Sequence, residues 1–183
     1  MNPPEDKVLE TERLLLEPLR PDHAQATFRF WSDPALYRFI PGDPPPSLAW
    51  LVERYQRLST RLAPDGSELW LNWMIKARGG DRFLGLVEAS VDQEKCATLA
   101  YFVFQPFWRR GIAIEACVRV FRCLREECGI TMLTADIDTR NTASIRLAQR
   151  LGLVYCRETR AVDFFKGTRS DEYRYIWKLG MGE

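Results

Sequence analysis

The spacing of apolar positions changes several times along the 183-residue chain, and each change predicts an element. Leu9 to Leu19 alternates, with Leu14 and Leu16 opposite Leu15, which predicts a first strand. After Pro21-Asp22 the apolar positions fall at helical spacing, Ala24, Phe28 and Trp31, with proline suited to the first turn and aspartate to its positive end. Ser32-Asp33-Pro34 stops that helix and starts another, Asp33 as cap and Pro34 as first residue, with Leu36, Tyr37 and Ile40 as anchors. Pro41-Gly-Asp-Pro-Pro-Pro46 lacks several backbone donors and must be a loop. Ser47 then caps a helix whose face is Leu48, Leu51, Val52, Tyr55 and Leu58.

From Leu69 the period is that of strands: 69–77, 83–91 and 98–104, broken at Gly79-Gly80-Asp81 and at 92–95. Breaks of that kind predict an antiparallel meander. The run Leu99 to Phe104 is continuously apolar, as in a strand buried on both faces. A helix follows, with Ala113, Ala116, Cys117, Val120, Phe121 and Leu124 on one stripe and Gly129 at its end. The next strand, 132–138, completes a strand-helix-strand unit, so 98–104 and 132–138 should be parallel neighbours through a right-handed crossover. Asn141 caps a short helix carrying Ile145, Ala148 and Leu151, and Gly152 closes it. Strands 153–165 and 172–179, joined by a polar turn at 166–170, end the chain. The sum is a mixed α/β single domain over 1–183, with 1–8 as a flexible extension.

Composition narrows the function classes. A hydrophobic share of 46% and a charged share of 28% are those of a soluble globular protein, and a net charge of +1 excludes a general electrostatic grip on nucleic acid or anionic lipid. No apolar run approaches the ~20 residues that span a bilayer, and the first residues lack a signal pattern, so a cytoplasmic location is expected. Five cysteines without paired spacing suggest neither disulfides nor a metal site. The single histidine, His23, is expected to be an exposed first-turn helix residue.

The stretch Phe107 to Ala116 joins the apolar strand to the amphipathic helix, and it holds Arg109, Arg110 and Gly111. A helix N-terminus offers unpaired N–H groups and the positive end of the macrodipole, which suits phosphate. By itself the pattern fits an ordinary strand-to-helix turn with solvated arginines equally well.

Further matches decide between these. Trp108-Arg-Arg-Gly111-Ile-Ala113 followed by Glu115-Ala116, the opening strand Leu9 to Leu19, Phe30-Trp-Ser-Asp-Pro34, and Asp138-Thr-Arg-Asn141-Thr-Ala-Ser144 with Leu151-Gly152 occur in one order along the chain. Together they resemble the GNAT acetyltransferase superfamily, and within it the RimJ/RimL branch of protein N-terminal and ribosomal-protein alanine acetyltransferases. The resemblance implies a GNAT-like domain: a mostly antiparallel sheet with one splayed parallel pair, 98–104 and 132–138, and helices on both faces. It implies acetyl-CoA as donor, its pantetheine held by backbone groups of Phe102, Val103 and Phe104 and its pyrophosphate by N–H groups of Arg109, Arg110, Gly111, Ile112, Ala113 and Ile114. Asn141 caps its helix and can also touch the cofactor. Ser144 donates to the departing sulfur, or else bonds only within its helix. Many relatives place a tyrosine one helical turn on, where this chain has Ala148.

The reaction so implied is direct attack by a primary amine in a ternary complex, the acceptor being a protein or peptide N-terminus. The alternatives are a small-amine or antibiotic acetyltransferase and a non-catalytic acyl-CoA sensor. The oxyanion is best served by a backbone N–H near Val103 or Phe104. Branch members often carry a glutamate where this chain has Thr98, which leaves Glu88, between Val87 and Ala89, as the best carboxylate for general base; otherwise Glu88 lies on a wet sheet face. Glu115 and Asp136 are weaker choices. The acceptor pocket should draw on the loop 41–46, the helices before it and the turn 166–170. Tryptophan and tyrosine side chains at Trp31, Tyr37 and Tyr55, with Phe39, line that cleft or belong to the core. No specific nucleic-acid or membrane partner is expected, and the protein is read as a monomer or homodimer.

Overall fold

A β-strand exposes alternate faces, so the apolar runs found above need helices on both sides of a sheet. The computed structural model, which describes residues 6–180, contains that arrangement. Its strands are β1 (Leu9–Glu10), β2 (Leu14–Pro18), β3 (Glu68–Ala77), β4 (Phe83–Asp92), β5 (Cys96–Val103), β6 (Met132–Asp138), β7 (Val154–Phe165) and β8 (Thr168–Lys178). Its helices are α1 (His23–Trp31), α2 (Leu48–Leu58), α3 (Ile112–Glu127) and α4 (Thr142–Arg150), with single 3-10 turns at Pro34–Tyr37 and Gln105–Phe107. The strands form one sheet in the order β1-β2-β3-β4-β5-β6-β8-β7. All neighbours are antiparallel except β5 and β6. The expected flexible extension, 1–8, falls largely on residues 1–5, outside the described residues.

The core lies on both sides of β3, β4 and β5. Leu86 and Val87 point to opposite faces and are 1% and 0% exposed, so β4 is covered on both. On one face, Phe30 of α1 stacks on Phe104 at 4.8 Å and Trp31 meets Phe102 edge-on at 5.1 Å. On the other, α3 buries Ala116, Cys117, Val120 and Leu124 completely, and its Phe121 packs on Trp177 of β8 at 5.0 Å.

Three expectations need correction. The first strand is two short ones. The Thr11 hydroxyl accepts from Leu14 N at 2.9 Å, while Thr11 N donates back to Leu14 O, and this turn folds β1 onto β2 with Leu9 opposite Leu16. The turn near 166–170 shrinks to Lys166-Gly167, both at positive φ (51° and 74°), and Phe165 pairs directly with Thr168. That is the backbone signature of a two-residue type I′ hairpin, which lets β8 begin four residues earlier than expected. His23 is 2% exposed rather than solvent-facing. Its Nδ1 accepts from Arg20 N at 3.2 Å, and its ring lies 5.0 Å from that of Phe83. Burial, with Arg20 next in effect, lowers its pKa despite Glu17 nearby.

Candidate active site

Period 2 determines which backbone groups of β5 are available. Phe104 N donates to Leu84 O at 2.8 Å, which makes 84 and 104 a hydrogen-bonded pair. With the register continuing Leu86↔Phe102 and Glu88↔Ala100, Phe102 and Ala100 also turn their N–H and C=O toward β4. Leu99, Tyr101 and Val103 therefore turn theirs toward β6. Yet β6 accompanies β5 only through Cys96↔Met132, Ala97↔Leu133 and Thr98↔Thr134, while its other edge stays paired with β8 from Met132 to Asp138. Beyond two last ties at Thr134, its Oγ1 to Ala97 O and to Thr98 Oγ1, each 3.2 Å, the strands part. The wedge so opened presents strand donors and acceptors without a strand to meet them, and buried groups of that kind need a partner.

The backbone groups expected at 102–104 divide between the two neighbouring strands. Phe104's N–H is engaged by Leu84, and Phe102 faces the same way, so Val103 and Tyr101 border the wedge. The Val103 carbonyl accepts from Trp108 Nε1 at 2.5 Å, which leaves its N–H as the oriented donor. Alternation along the strand separates the two sets of backbone groups, and the register with β4 decides which set borders the wedge.

The turn after β5 ends in a cradle. Arg109 and Gly111 both have positive φ, 61° and 74°, and α3 begins at Ile112 with its first helical bond from Glu115 N to Gly111 O. The N–H groups of Ile112, Ala113 and Ile114 thus have no helical acceptor, and a turn of alternating hand brings neighbouring N–H groups toward one point. Any side chain at 111 would be strained at that φ.

The cradle is held by Glu115, one of the weaker choices for general base in the sequence. Glu115 accepts from Thr11 Oγ1 (2.6 Å), Arg13 N (3.1 Å) and Arg13 Nε (2.7 Å), while Arg13 Nη1 donates to Arg110 O at 3.2 Å. The β1–β2 hairpin is thereby clamped across the start of α3. Burial pushes the Glu115 pKa up, but the bonds from Thr11 and Arg13 outweigh it and the net shift is downward. A lowered carboxylate contributes stability above its unfolded pKa of about 4.3 and loses it as pH falls through the folded value. Glu115→Gln should therefore lower Tm at pH 7 and flatten the acid limb of Tm against pH between 6 and 3. An unaltered acid limb would show the clamp to be energetically neutral. Beside it a groove of about 480 Å³ is bordered by Arg13, Gly111, Ile114, Arg119, Arg122 and Arg150, a cationic wall next to the cradle.

The structure also brings together two hydroxyls that the sequence left apart. Asn141 Oδ1 accepts from Ser144 N at 3.2 Å, the cap expected for α4. That cap places Ser144 Oγ 2.8 Å from Tyr101 Oη. Burial, partly opposed by the Ser144 bond, raises the Tyr101 pKa to about 12, so this phenol stays protonated near neutrality. Tyr101 was not among the expected site residues, although it shares its strand face with Leu99 and Val103, the face toward α3.

On the opposite face a cavity of about 210 Å³ is walled by Trp31, Tyr37, Trp50, Tyr55 and Phe102, with Arg54 and Glu88 at its polar side. Trp31 Nε1 donates to Tyr55 Oη at 2.6 Å and Tyr37 Oη donates to Trp31 O at 3.1 Å, so the aromatic wall is internally tied. Burial pushes both tyrosines up to about 12. Pro41 to Pro45 close the outer side, and Lys166 Nζ of the β7–β8 turn donates to Gly42 O at 2.7 Å. Loop and turn thus meet over one cavity; Phe39 does not line it.

Glu88 stands opposite Ala100 on β5 and Asn72 on β3. Its Oε1 accepts from Arg54 Nη2 at 3.2 Å. Burial raises its pKa, with Arg54 opposing, so a proton is held more firmly than on an ordinary glutamate. The other carboxylates considered are occupied, Glu115 in the clamp and Asp136 by Arg174 Nε and Nη2 at 2.7 and 2.8 Å. Among the described residues no group of three or more His, Cys, Asp or Glu could hold a metal, and no helix is long and apolar enough to cross a membrane.

A wedge beside a parallel pair, followed by a positive-φ turn and a helix start, now stands next to a separate aromatic cavity. Residues 13–154 match the family described as the acetyltransferase (GNAT) domain. The chain belongs to the GNAT acetyltransferase family. It is 25% identical over 147 residues to the uncharacterised N-acetyltransferase YoaA of Bacillus subtilis (strain 168), covering 79% of this chain and 81% of that protein. Its fold is similar to that of RimL, the ribosomal L7/L12 α-N-protein acetyltransferase solved with coenzyme A (TM-score 0.84, 16% identity, 94% and 98% of the two chains). The microcin C7 self-immunity acetyltransferase MccE, solved with acetyl-CoA and AMP, is similar as well (TM-score 0.79, 15% identity, 92% and 94%). At these identities the structural likenesses establish the GNAT fold, and the branch within the family is a matter for the site.

Proposed function

We propose that this GNAT protein transfers an acetyl group from acetyl-CoA to a primary amine by direct attack in a ternary complex. The observation that carries the reading is the two-sided site: the wedge and cradle on one side of β5, and a cavity with a raised-pKa carboxylate on the other. Acetyl-CoA supplies the activated acyl group; GNAT neighbours are solved with it or with coenzyme A.

In this reading N–H groups from Arg109 to Ile114 bind the pyrophosphate, and Arg110 adds charge there. Tyr101 and Val103 backbone groups hold the pantetheine, with Asn141 at its edge, and the Val103 N–H faces the carbonyl oxygen as charge develops. The Ser144–Tyr101 hydroxyl pair donates to the sulfur, and Glu88 accepts the amine proton. The whole chain acts as one catalytic domain in the cytoplasm, in keeping with free thiols at Cys96, Cys117, Cys123, Cys128 and Cys156. The fold likeness to RimL favours a peptide or protein N-terminus as acceptor, whereas a cavity of about 210 Å³ favours a small amine.

Release of free thiol in the presence of candidate amines, together with an acetyl-CoA titration, tests the reading. Ser144→Ala and Tyr101→Phe should each lower kcat about tenfold or more, with acetyl-CoA affinity nearly unchanged. Tight acetyl-CoA binding with no turnover for any amine or peptide would make the protein an acyl-CoA sensor instead.

A further inference from the structure

The acceptor cavity contains two opposite charges side by side, and each is only half used. Arg54 meets Glu88 through Nη2 and Oε1 alone, at 3.2 Å. A guanidinium has five N–H donors in a planar fork and a carboxylate has two oxygens, so a strong pair is usually two-pronged. Among the described residues nothing else accepts from Arg54 and nothing donates to Glu88 Oε2. Arg54 is 36% and Glu88 21% exposed, so neither atom set is sealed off.

That arrangement matches one ligand chemistry. A free α-amino acid has an ammonium and a carboxylate on the same carbon, at a separation comparable to that of the two protein charges. Its ammonium can be received by Glu88 Oε2 and its carboxylate by the remaining N–H groups of Arg54. Its side chain then faces the tied wall of Trp31, Tyr37 and Tyr55. A simple cationic amine would use Glu88 but leave the remaining N–H groups of Arg54 without an acceptor, since Asp43, the other carboxylate on the cavity, is 89% exposed and faces Lys166 at 3.8 Å. A peptide acceptor must also continue outward past its first residue. The proline-rich loop, tied by the bond from Lys166 to Gly42, borders the cavity and limits the room for that continuation.

We propose that the acceptor is a free α-amino acid with an apolar or aromatic side chain, held as a zwitterion between Glu88 and Arg54, an inference that rests on the acetyl-transfer reading above. The ammonium gives one proton to Glu88. The neutral nitrogen forms a bond to the acetyl carbon as the bond from that carbon to sulfur breaks. The second nitrogen proton passes to solvent as the amide forms, the thiolate becomes thiol with a proton from the Ser144–Tyr101 pair, and solvent returns a proton to that pair. The products are the N-acetyl amino acid, coenzyme A and one proton released from Glu88.

The test compares thiol release by the full chain with acetyl-CoA and four acceptors: L-phenylalanine, its methyl ester, phenethylamine, and a tripeptide beginning with phenylalanine, with L-leucine and its ester as a second pair. The expected kcat/KM for each free acid exceeds that of its ester by about 10- to 100-fold, the range for a hydrogen bond to a charged group. Arg54→Gln, a change at a partly exposed helix position, should bring that ratio close to one by raising KM for the acid. A tripeptide or ester that matches or exceeds the acid, or a ratio indifferent to Arg54→Gln, overturns this inference and leaves acetyl transfer standing. Absence of turnover with every acceptor, despite acetyl-CoA binding, overturns both.

Discussion

Glu88→Gln should lower kcat by about 100-fold or more while leaving acetyl-CoA affinity intact, since removing a positioned general base typically costs 10²–10⁴-fold. In the wild type, kcat/KM should rise with pH through a pKa above that of an ordinary glutamate, because burial disfavours the carboxylate and Arg54 compensates only in part. The variant should lose that limb. The same group makes an opposite statement about stability. A carboxyl whose folded pKa is raised contributes stability below its unfolded pKa, and that contribution is lost as pH rises through the folded value. Glutamine has no charge to bury, so the variant should be at least as stable as the wild type at pH 8, measured as Tm from pH 4 to 8. A variant with normal kcat and a lowered Tm would reduce Glu88 to a partner of Arg54. The kinetic and thermal readouts therefore separate a base from a structural ion pair.

Gly85→Ala should have the largest effect on the fold. A Cβ at this position on β4 would lie 2.1 Å from the Phe102 carbonyl oxygen and 3.0 Å from Val103 Cα, all backbone of β5. No rotamer change relieves a clash with backbone, so β5 itself must move. Overpacking of this kind costs on the order of 3 kcal/mol, which for a chain of this size is roughly a 6–12 °C loss in Tm. Because β5 borders the wedge, the folded fraction should also bind acetyl-CoA more weakly. Gly80→Ala is the matched control, since a Cβ there meets nothing within 4 Å, and its Tm should stay at the wild-type value. Equal Tm for the two variants would mean that β4 and β5 can part at no cost, contrary to the tight register between them.

Much of the fold was legible before any coordinates. Asp33, Ser47 and Asn141 were read as caps, and their side chains accept from Ala35 N, Trp50 N and Ser144 N. The meander of β3, β4 and β5 and the parallel placement of β6 followed from period and connection length. The failures have two causes. The first strand breaks at Thr11 because a side chain there competes for the backbone of Leu14, and hydrophobic alternation does not register hydroxyl bonds. His23 is inside because Phe83, sixty residues on, covers it.

The site divides in the same way. The cradle from Arg109 to Ile114 is local: one glycine, the start of one helix and a strand ending just before it, all within ten residues. The contacts that give the site its chemistry join distant parts of the chain. Glu115 meets Thr11, Tyr101 meets Ser144 and Arg54 meets Glu88, at separations of 104, 43 and 34 residues. Periodicity gives the face on which each of these side chains lies, but not which element lies across from that face. By itself the sequence determined the elements, their caps, the phosphate-type turn and the family resemblance, because these depend on spacings within a few residues. Only the tertiary structure decided which N–H groups border the wedge, that a strand tyrosine stands beside Ser144, and that Glu88 shares its cavity with an arginine. Those are consequences of sheet order and of where β6 leaves β5, and no local spacing encodes them.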